Sequence, residues 1–161
     1  MTPFDALVAA GLRASVFRLR VLEVFAREPA RYFAVEQIAA ELVAHQARQV
    51  SLSTLYRQVN ALHRGGVLLA CRLVSGTTVF RWLDGAPPAM RLVCRRCGRI
   101  EETDDPALHR CLTQLVAGIG WRRSLLPLDC HGVCACCRPL LQGGRRRTAK
   151  VPVPDGENSC R

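Results

Sequence analysis

Two C-x-x-C pairs constrain this chain more than any other feature. They are Cys94-Arg95-Arg96-Cys97, followed by Gly98, and Cys134-Ala135-Cys136-Cys137, with 36 residues between Cys97 and Cys134. Two intervening residues let one tight knuckle offer both sulfurs to the same ion, and a tetrahedral zinc ion takes four such thiolates. The glycine after the first pair suits the left-handed turn that such a knuckle often needs. The spacing predicts one structural Zn2+ per subunit on Cys94, Cys97, Cys134 and Cys137, closing a small domain. Ordinary reduced thiols or disulfides are the competing reading, and paired spacing is more specific than cysteine number alone.

At 161 residues and 49% hydrophobic composition, the chain can bury the core of one domain or of two small ones. It has no run of about 18 uncharged apolar residues, so no membrane span is expected. Met1-Thr2-Pro3-Phe4-Asp5 has neither the basic head nor the apolar core of an export signal, which predicts a cytoplasmic protein. In that reducing compartment nine cysteines point to metal ligation rather than disulfides. Net charge is +10, and residues 1–83 carry ten Arg against five acids. An arginine-rich domain suits a phosphate backbone, and arginine also reads base edges in bidentate fashion. A merely solvated basic face is the bland alternative.

Helix signals dominate the first half. Thr2 reads as a cap with Pro3 in the first turn and Asp5 behind it, and Phe4, Leu7 and Val8 share the face expected to be buried. Ser15 is a second cap, followed by the stripe Leu19, Leu22 and Phe25 and a stop at Pro29; Val35, Ile38, Ala39 and Leu42 repeat at helical spacing. In Ser53-Thr54-Leu55-Tyr56-Arg57-Gln58-Val59-Asn60-Ala61-Leu62, the apolar Leu55, Val59 and Leu62 fall on one side. Thr54, Arg57 and Gln58, with Tyr56 nearby, fall on the other, and Gly65-Gly66 ends the helix. A short helix offering hydroxyl, amide, aromatic and guanidinium groups near its N-terminus meets the needs of major-groove reading. Its alternative is a solvent-facing amphipathic helix.

Val67–Val74 and Thr77–Leu83, rich in β-branched residues and separated by Ser75-Gly76, predict a hairpin. Helices followed by a hairpin is the order of a winged helix-turn-helix. Asp84-Gly85-Ala86-Pro87-Pro88 reads as a hinge. Beyond it, strands are expected at Met90–Val93 and Arg99–Glu102. A helix capped by Asp105 should follow, with the stripe Leu108, Leu112, Leu115 and Val116, and then a strand over Trp121–Leu128. The fold class is therefore α+β: a winged-helix DNA-binding domain over 1–83, a hinge at 84–88, a small α/β dimerisation domain over 89–141 and a disordered basic tail over 142–161. The second domain is marginal for independent folding, and zinc and oligomerisation are its natural supplements.

From Gly11 to Cys137 the chain resembles the ferric uptake regulator family of bacterial metal-responsive repressors. The resemblance rests on Gly11-Leu12-Arg13 with Ser15 and Arg18-Leu19, on Ser53-Thr54-Leu55-Tyr56-Arg57, on Cys94-Arg95-Arg96-Cys97-Gly98 and on His131-Gly132-Val133-Cys134-Ala135-Cys136-Cys137. Phe17 stands where a proline is usual. The second knuckle, with Ala89-Met90 ahead of the first, looks more like the zinc uptake regulator branch. The resemblance implies a homodimeric repressor on a double-stranded inverted-repeat operator, acting in zinc or iron homeostasis or a stress response. Tyr56 and Arg57 would touch DNA beside Ser53 and Thr54, and Arg13, near Ser15 and Arg18, would reach an adjacent minor groove.

One part of the pattern is missing. Family members carry a histidine-rich segment before the first knuckle that helps to bind a regulatory metal, whereas Ala86-Pro87-Pro88-Ala89-Met90-Arg91 contains no imidazole or carboxylate. Arg31-Tyr32 replaces the histidine common before the third helix, and Leu125-Leu126 near the final strand offers no ligand. Glu102 is the one carboxylate at an expected ligand position, and Cys71 on the first wing strand is the other candidate for a rebuilt second site. A divalent ion needs three or four converging ligands, and Cys71 otherwise reads as a small buried hydrophobe. Two alternative functions compete with this one. A zinc-stabilised interaction module without operator specificity is one. A thiol-disulfide oxidoreductase using Cys94 and Cys97 is the other, and it requires the first cysteine at a helix N-terminus.

Overall fold

The computed structural model describes residues 1–45, 51–122 and 126–139, and the chain divides into two compact units. The first comprises Met1–Arg72 and Gly76–Ala86; the second comprises Leu73–Ser75 and the chain from Pro87 onward. No helix among the described residues is long and apolar enough to cross a membrane. The expected basic tail over 142–161 lies outside the described residues.

The first unit begins with α1 (Pro3–Ala9). The Thr2 hydroxyl accepts from the Asp5 amide at 3.1 Å while Asp5 accepts from the Thr2 amide at 3.3 Å, so two orphan donors are satisfied reciprocally. Ala6 and Leu7 are the residues of α1 that reach the core. Phe4 and Val8, expected on the buried face, are 55% and 59% exposed, because this two-turn helix meets the core along a narrow strip. Ser15 caps α2 (Val16–Arg27) through the Arg18 amide, and Val21, Leu22, Val24 and Phe25 are buried. A two-residue strand, β1 (Phe33–Ala34), leads into α3 (Val35–Ala44). It is too short to carry a sequence period, and its partner β3 lies far along the chain, with Phe33 opposite Phe80 and Ala34 opposite Val79.

Helix α4 (Leu52–Arg64) has Leu55, Val59 and Leu62 fully buried, and each contributes about 1.5–3 kcal/mol through removal from water. These residues join Phe25, Phe33, Ile38 and Leu68 in one core, where Phe25 and Phe33 meet edge to face at 5.4 Å. Gly66, at φ +74°, turns the chain out of α4, a conformation other residues adopt at a cost. The hairpin then forms from β2 (Leu68–Arg72) and β3 (Thr78–Trp82), with Gly76 in its turn at φ +88°. Strand order is β1-β3-β2, antiparallel throughout.

The second unit contains β4 (Met90–Cys94), β5 (Ile100–Thr103), α5 (Pro106–Gly118) and β6 (Leu128–Gly132) in a sheet of order β5-β4-β6. β5 runs antiparallel to β4 and β6 runs parallel to it. Of the strand expected over Trp121–Leu128, residues 123–125 lie outside the described residues, and the described strand β6 begins only at Leu128. Pro127 has no amide hydrogen for a ladder, and pairing starts when the Leu128 amide donates to Ala89 O at 3.1 Å. Asp105 caps α5 as foreseen, accepting from the Ala107 amide at 2.8 Å. The apolar stripe of α5 does not enter a core, however: no residue of α5 is buried, and Leu115 is 63% exposed.

Candidate metal centre and nucleic-acid interface

The two knuckles grow out of adjacent strands. Strand β4 ends at Cys94, whose amide donates to Arg99 O at 2.8 Å and whose carbonyl accepts from the Gly98 amide at 3.0 Å. Gly98 closes this turn at φ +73°. Beyond β6, the amides of Cys137 and Arg138 both donate to Cys134 O at 3.0 Å, and the Arg95 amide is tied to Gly132 O at 2.8 Å. This backbone brings the sulfurs of Cys94, Cys97, Cys134 and Cys137 within 4.8 Å of one another. Cys97 Sγ and Cys134 Sγ stand 3.7 Å apart, close to the ~3.8 Å edge of a tetrahedron of sulfurs each ~2.3 Å from zinc.

The electrostatics of these sulfurs also fit a cation. Burial opposes ionisation of Cys94, but amides of Cys134, Cys97 and Arg96 outweigh it and hold the thiol at about 6. Burial likewise opposes ionisation of Cys134, where the Cys137 amide helps to bring the thiol below its ordinary value. Cys97 and Cys137 are pushed up, first by burial and then by neighbouring sulfurs. Four crowded sulfurs cannot all ionise unaided, and a divalent ion supplies the charge that lets them do so. Cys94 terminates a strand and enters a turn, so it lacks the helix N-terminus that a redox C-x-x-C pair requires.

The other described cysteines do not join this cluster. Cys136 is exposed, with Arg99 Nη1 at 3.9 Å from its sulfur, and Cys130 lies 3.4 Å from Met90 Sδ. Cys71 is 1% exposed on β2, opposite Val79, and Glu102 is exposed on β5, opposite Arg91. Among the described residues the four-cysteine cluster is the single group of three or more ligand side chains, and it includes neither Cys71 nor Glu102.

Helix α4 presents the predicted polar face. Ser51 is its cap, and its hydroxyl engages the Thr54 amide at 3.3 Å and the Thr54 hydroxyl at 2.9 Å. Ser53 is exposed with its hydroxyl 3.2 Å from that of Ser51. Tyr56 and Arg57 are exposed, and the Tyr56 hydroxyl donates to Glu36 Oε1 of α3 at 2.7 Å. Arg18 is half-buried: Nε donates to Gln58 Oε1 at 3.0 Å and Nη1 to Arg13 O at 2.9 Å. It therefore braces α2, α4 and the preceding loop, while the Arg13 side chain is exposed. Ser15 is occupied as the α2 cap.

One ion pair escaped the sequence reading altogether. Arg91 on β4 is 4% exposed and grips Asp129 on β6 with Nε–Oδ1 at 2.6 Å and Nη2–Oδ2 at 2.9 Å. The 38-residue separation hides it, since only the parallel register of β4 and β6 sets Arg91 beside Asp129.

The family model described as the ferric uptake regulator family matches residues 9–128. The ferric uptake regulation protein of Bordetella parapertussis is 26% identical over 80% of this chain and 91% of its own length; that of Shigella flexneri is 28% identical over 81% and 86%. Among solved structures, the ferric uptake regulator of Pseudomonas aeruginosa with manganese aligns with a TM-score of 0.71 at 21% identity, covering 84% of this chain and 99% of its own. The Vibrio cholerae ferric uptake regulator aligns at 0.66 and 25% identity, covering 81% and 98%.

Proposed function

The chain belongs to the ferric uptake regulator family, and from that premise we propose that it is a zinc-stapled homodimeric repressor that reads an inverted-repeat operator through α4. Regulators of this family are DNA-binding, metal-responsive transcriptional repressors and not enzymes. Members are dimeric, and the unburied apolar stripe of α5, with Ile119 and Trp121 72% and 71% exposed, supports a dimer here. The division of labour follows the chain: 1–83 binds DNA, 84–88 is a hinge, 89–141 holds the metal and the partner. The protein works in the cytoplasm.

The observation that carries the reading is the exposed Tyr56 and Arg57 on a capped helix whose other face is locked into the core by Leu55, Val59 and Leu62. A rigidly held helix can present the same side chains to successive base pairs, with Arg57 suited to guanine and Thr54 to several base edges. Arg13 reaches the neighbouring minor groove. Zinc is the ion for the four-cysteine cluster, because four thiolates in a closed tetrahedral set with borderline-soft character match it better than they match iron or manganese. Selection of bound sequences from a random duplex pool, using reduced zinc-loaded protein at moderate salt, tests the proposal. Enrichment of an inverted repeat is expected; binding of equal strength to all duplexes, falling steeply with salt, would leave only an interaction module with electrostatic affinity for DNA.

A further inference from the structure

We infer that the Arg91 guanidinium is a built-in cation in the second unit, filling the place a labile regulatory metal would need, so that this regulator holds one structural metal and no second one. The inference rests on the family reading above, since it asks what became of metal responsiveness in this chain. Strand order β5-β4-β6 and the observed register set Glu102, Arg91 and Asp129 side by side in one row. Residues opposed in this way share a face of the sheet. The row reads carboxylate, guanidinium, carboxylate. Its centre is the one buried charged residue among those described, and Asp129 holds it through two short parallel bonds.

A divalent metal and a guanidinium do the same electrostatic work between carboxylates, but they differ in reversibility. The metal leaves when its concentration falls. The guanidinium is covalently attached and stays protonated at any physiological pH. A metal arriving beside it would meet like charge and compete for Asp129 oxygens already bonded. The ligand inventory agrees. Residues 86–91 contain no His, Cys, Asp or Glu, and no described group outside the four cysteines gathers three ligand side chains. The described residues therefore do not fit a second metal.

The experiment uses the full chain, reduced and zinc-loaded, without DNA, so that failure to find an operator and failure of this inference are separate results. Mn2+ is the probe, because it prefers carboxylate oxygen and leaves thiolates to zinc. Equilibrium dialysis of the unmodified protein should show no bound Mn2+ up to about 1 mM, and its thermal midpoint should not move with Mn2+. Arg91→His removes the fixed charge and sets an imidazole between two carboxylates; it should bind one Mn2+ per subunit and gain a Mn2+-dependent thermal midpoint, a response that loss of a merely structural ion pair would not produce. Arg91→Lys keeps a charge and should remain indifferent. Stoichiometric Mn2+ on the unmodified protein or on Arg91→Lys overturns the inference, as does a folded Arg91→His that takes up none. Should Arg91→His not fold, the unmodified protein decides the matter alone.

Discussion

The Tyr56 hydroxyl on α4 donates a 2.7 Å hydrogen bond to Glu36 Oε1 on α3. This contact ties the aromatic ring to α3, and it places a carboxylate next to the surface proposed to meet DNA. The bond to Glu36, then burial and then the Glu36 charge hold the Tyr56 phenol above its ordinary value of 10.0. A raised acid is favoured in its neutral form by the folded state. Its contribution is therefore complete below pH 10.0 and is lost as pH rises through the raised value. An alkaline absorbance titration should lose a component lying above 10.0 in Tyr56→Phe. Glu36→Gln should bring it back toward 10.0 and tighten DNA binding by a few fold, most at low salt. A titration unmoved by Glu36→Gln would remove this bond from the account.

Much of the first unit was legible in the sequence, because its order is local. Caps at Thr2 and Ser15, the spacing of Leu55, Val59 and Leu62, and the turn at Gly76 each depend on neighbours within a few residues. The cysteine pairs were legible for a different reason: ligand spacing encodes a shared partner directly. What stayed hidden is set by distant pairing. β1 exists only against β3, β6 starts where a parallel ladder with β4 can begin, and Arg91 meets Asp129 only through that ladder. The stripe of α5 misled in its own way, since an apolar face announces burial without saying whether the same chain supplies the cover.

Arg57→Ala tests base reading. The side chain is exposed, so the fold and thermal midpoint should hold. Discrimination between the selected operator and a scrambled duplex should fall by about 1–3 kcal/mol. A loss equal on both duplexes would make Arg57 a phosphate contact.

Leu55→Ala tests how the helix is held. Leu55 is fully buried in the core of the first unit, and its truncation should cost about 2–5 kcal/mol through lost burial and the cavity left behind. Denaturant unfolding followed by far-ultraviolet ellipticity reports it. A cost under about 1 kcal/mol would mean that α4 is far less firmly seated than its burial indicates.

Cys97→Ser probes the staple. Cys97 is the sulfur 3.7 Å from Cys134, so an oxygen there should abolish tight metal retention at neutral pH and unfold the second unit, because metal-binding energy in such sites is folding energy. Metal analysis after chelation, paired with limited proteolysis, reads both effects, and cleavage should begin beyond Ala86. Retention of one zinc per subunit by this variant would contradict the four-thiolate assignment.

The dimer is most directly tested at Leu115. It projects from α5 at 63% exposure, with Ile119 one turn on at 72% and Trp121 beyond it at 71%. Such a cluster in a monomer would leave apolar surface facing water, whereas a second copy would bury it. An interface anchor of this kind contributes on the order of 2 kcal/mol or more. Leu115→Glu would replace that contact by a charge, and the subunit dissociation constant should rise at least about 30-fold. Because the side chain touches no core, zinc content and ellipticity should remain those of the parent. Sedimentation velocity over a concentration series separates the cases: a shift to monomer with zinc retained assigns this face to the partner, and an unchanged dimer moves the interface elsewhere on the second unit. The same variant carries through to DNA, since a monomer presents one α4 where an inverted repeat requires two, and affinity for the full operator should fall to that for a half-site.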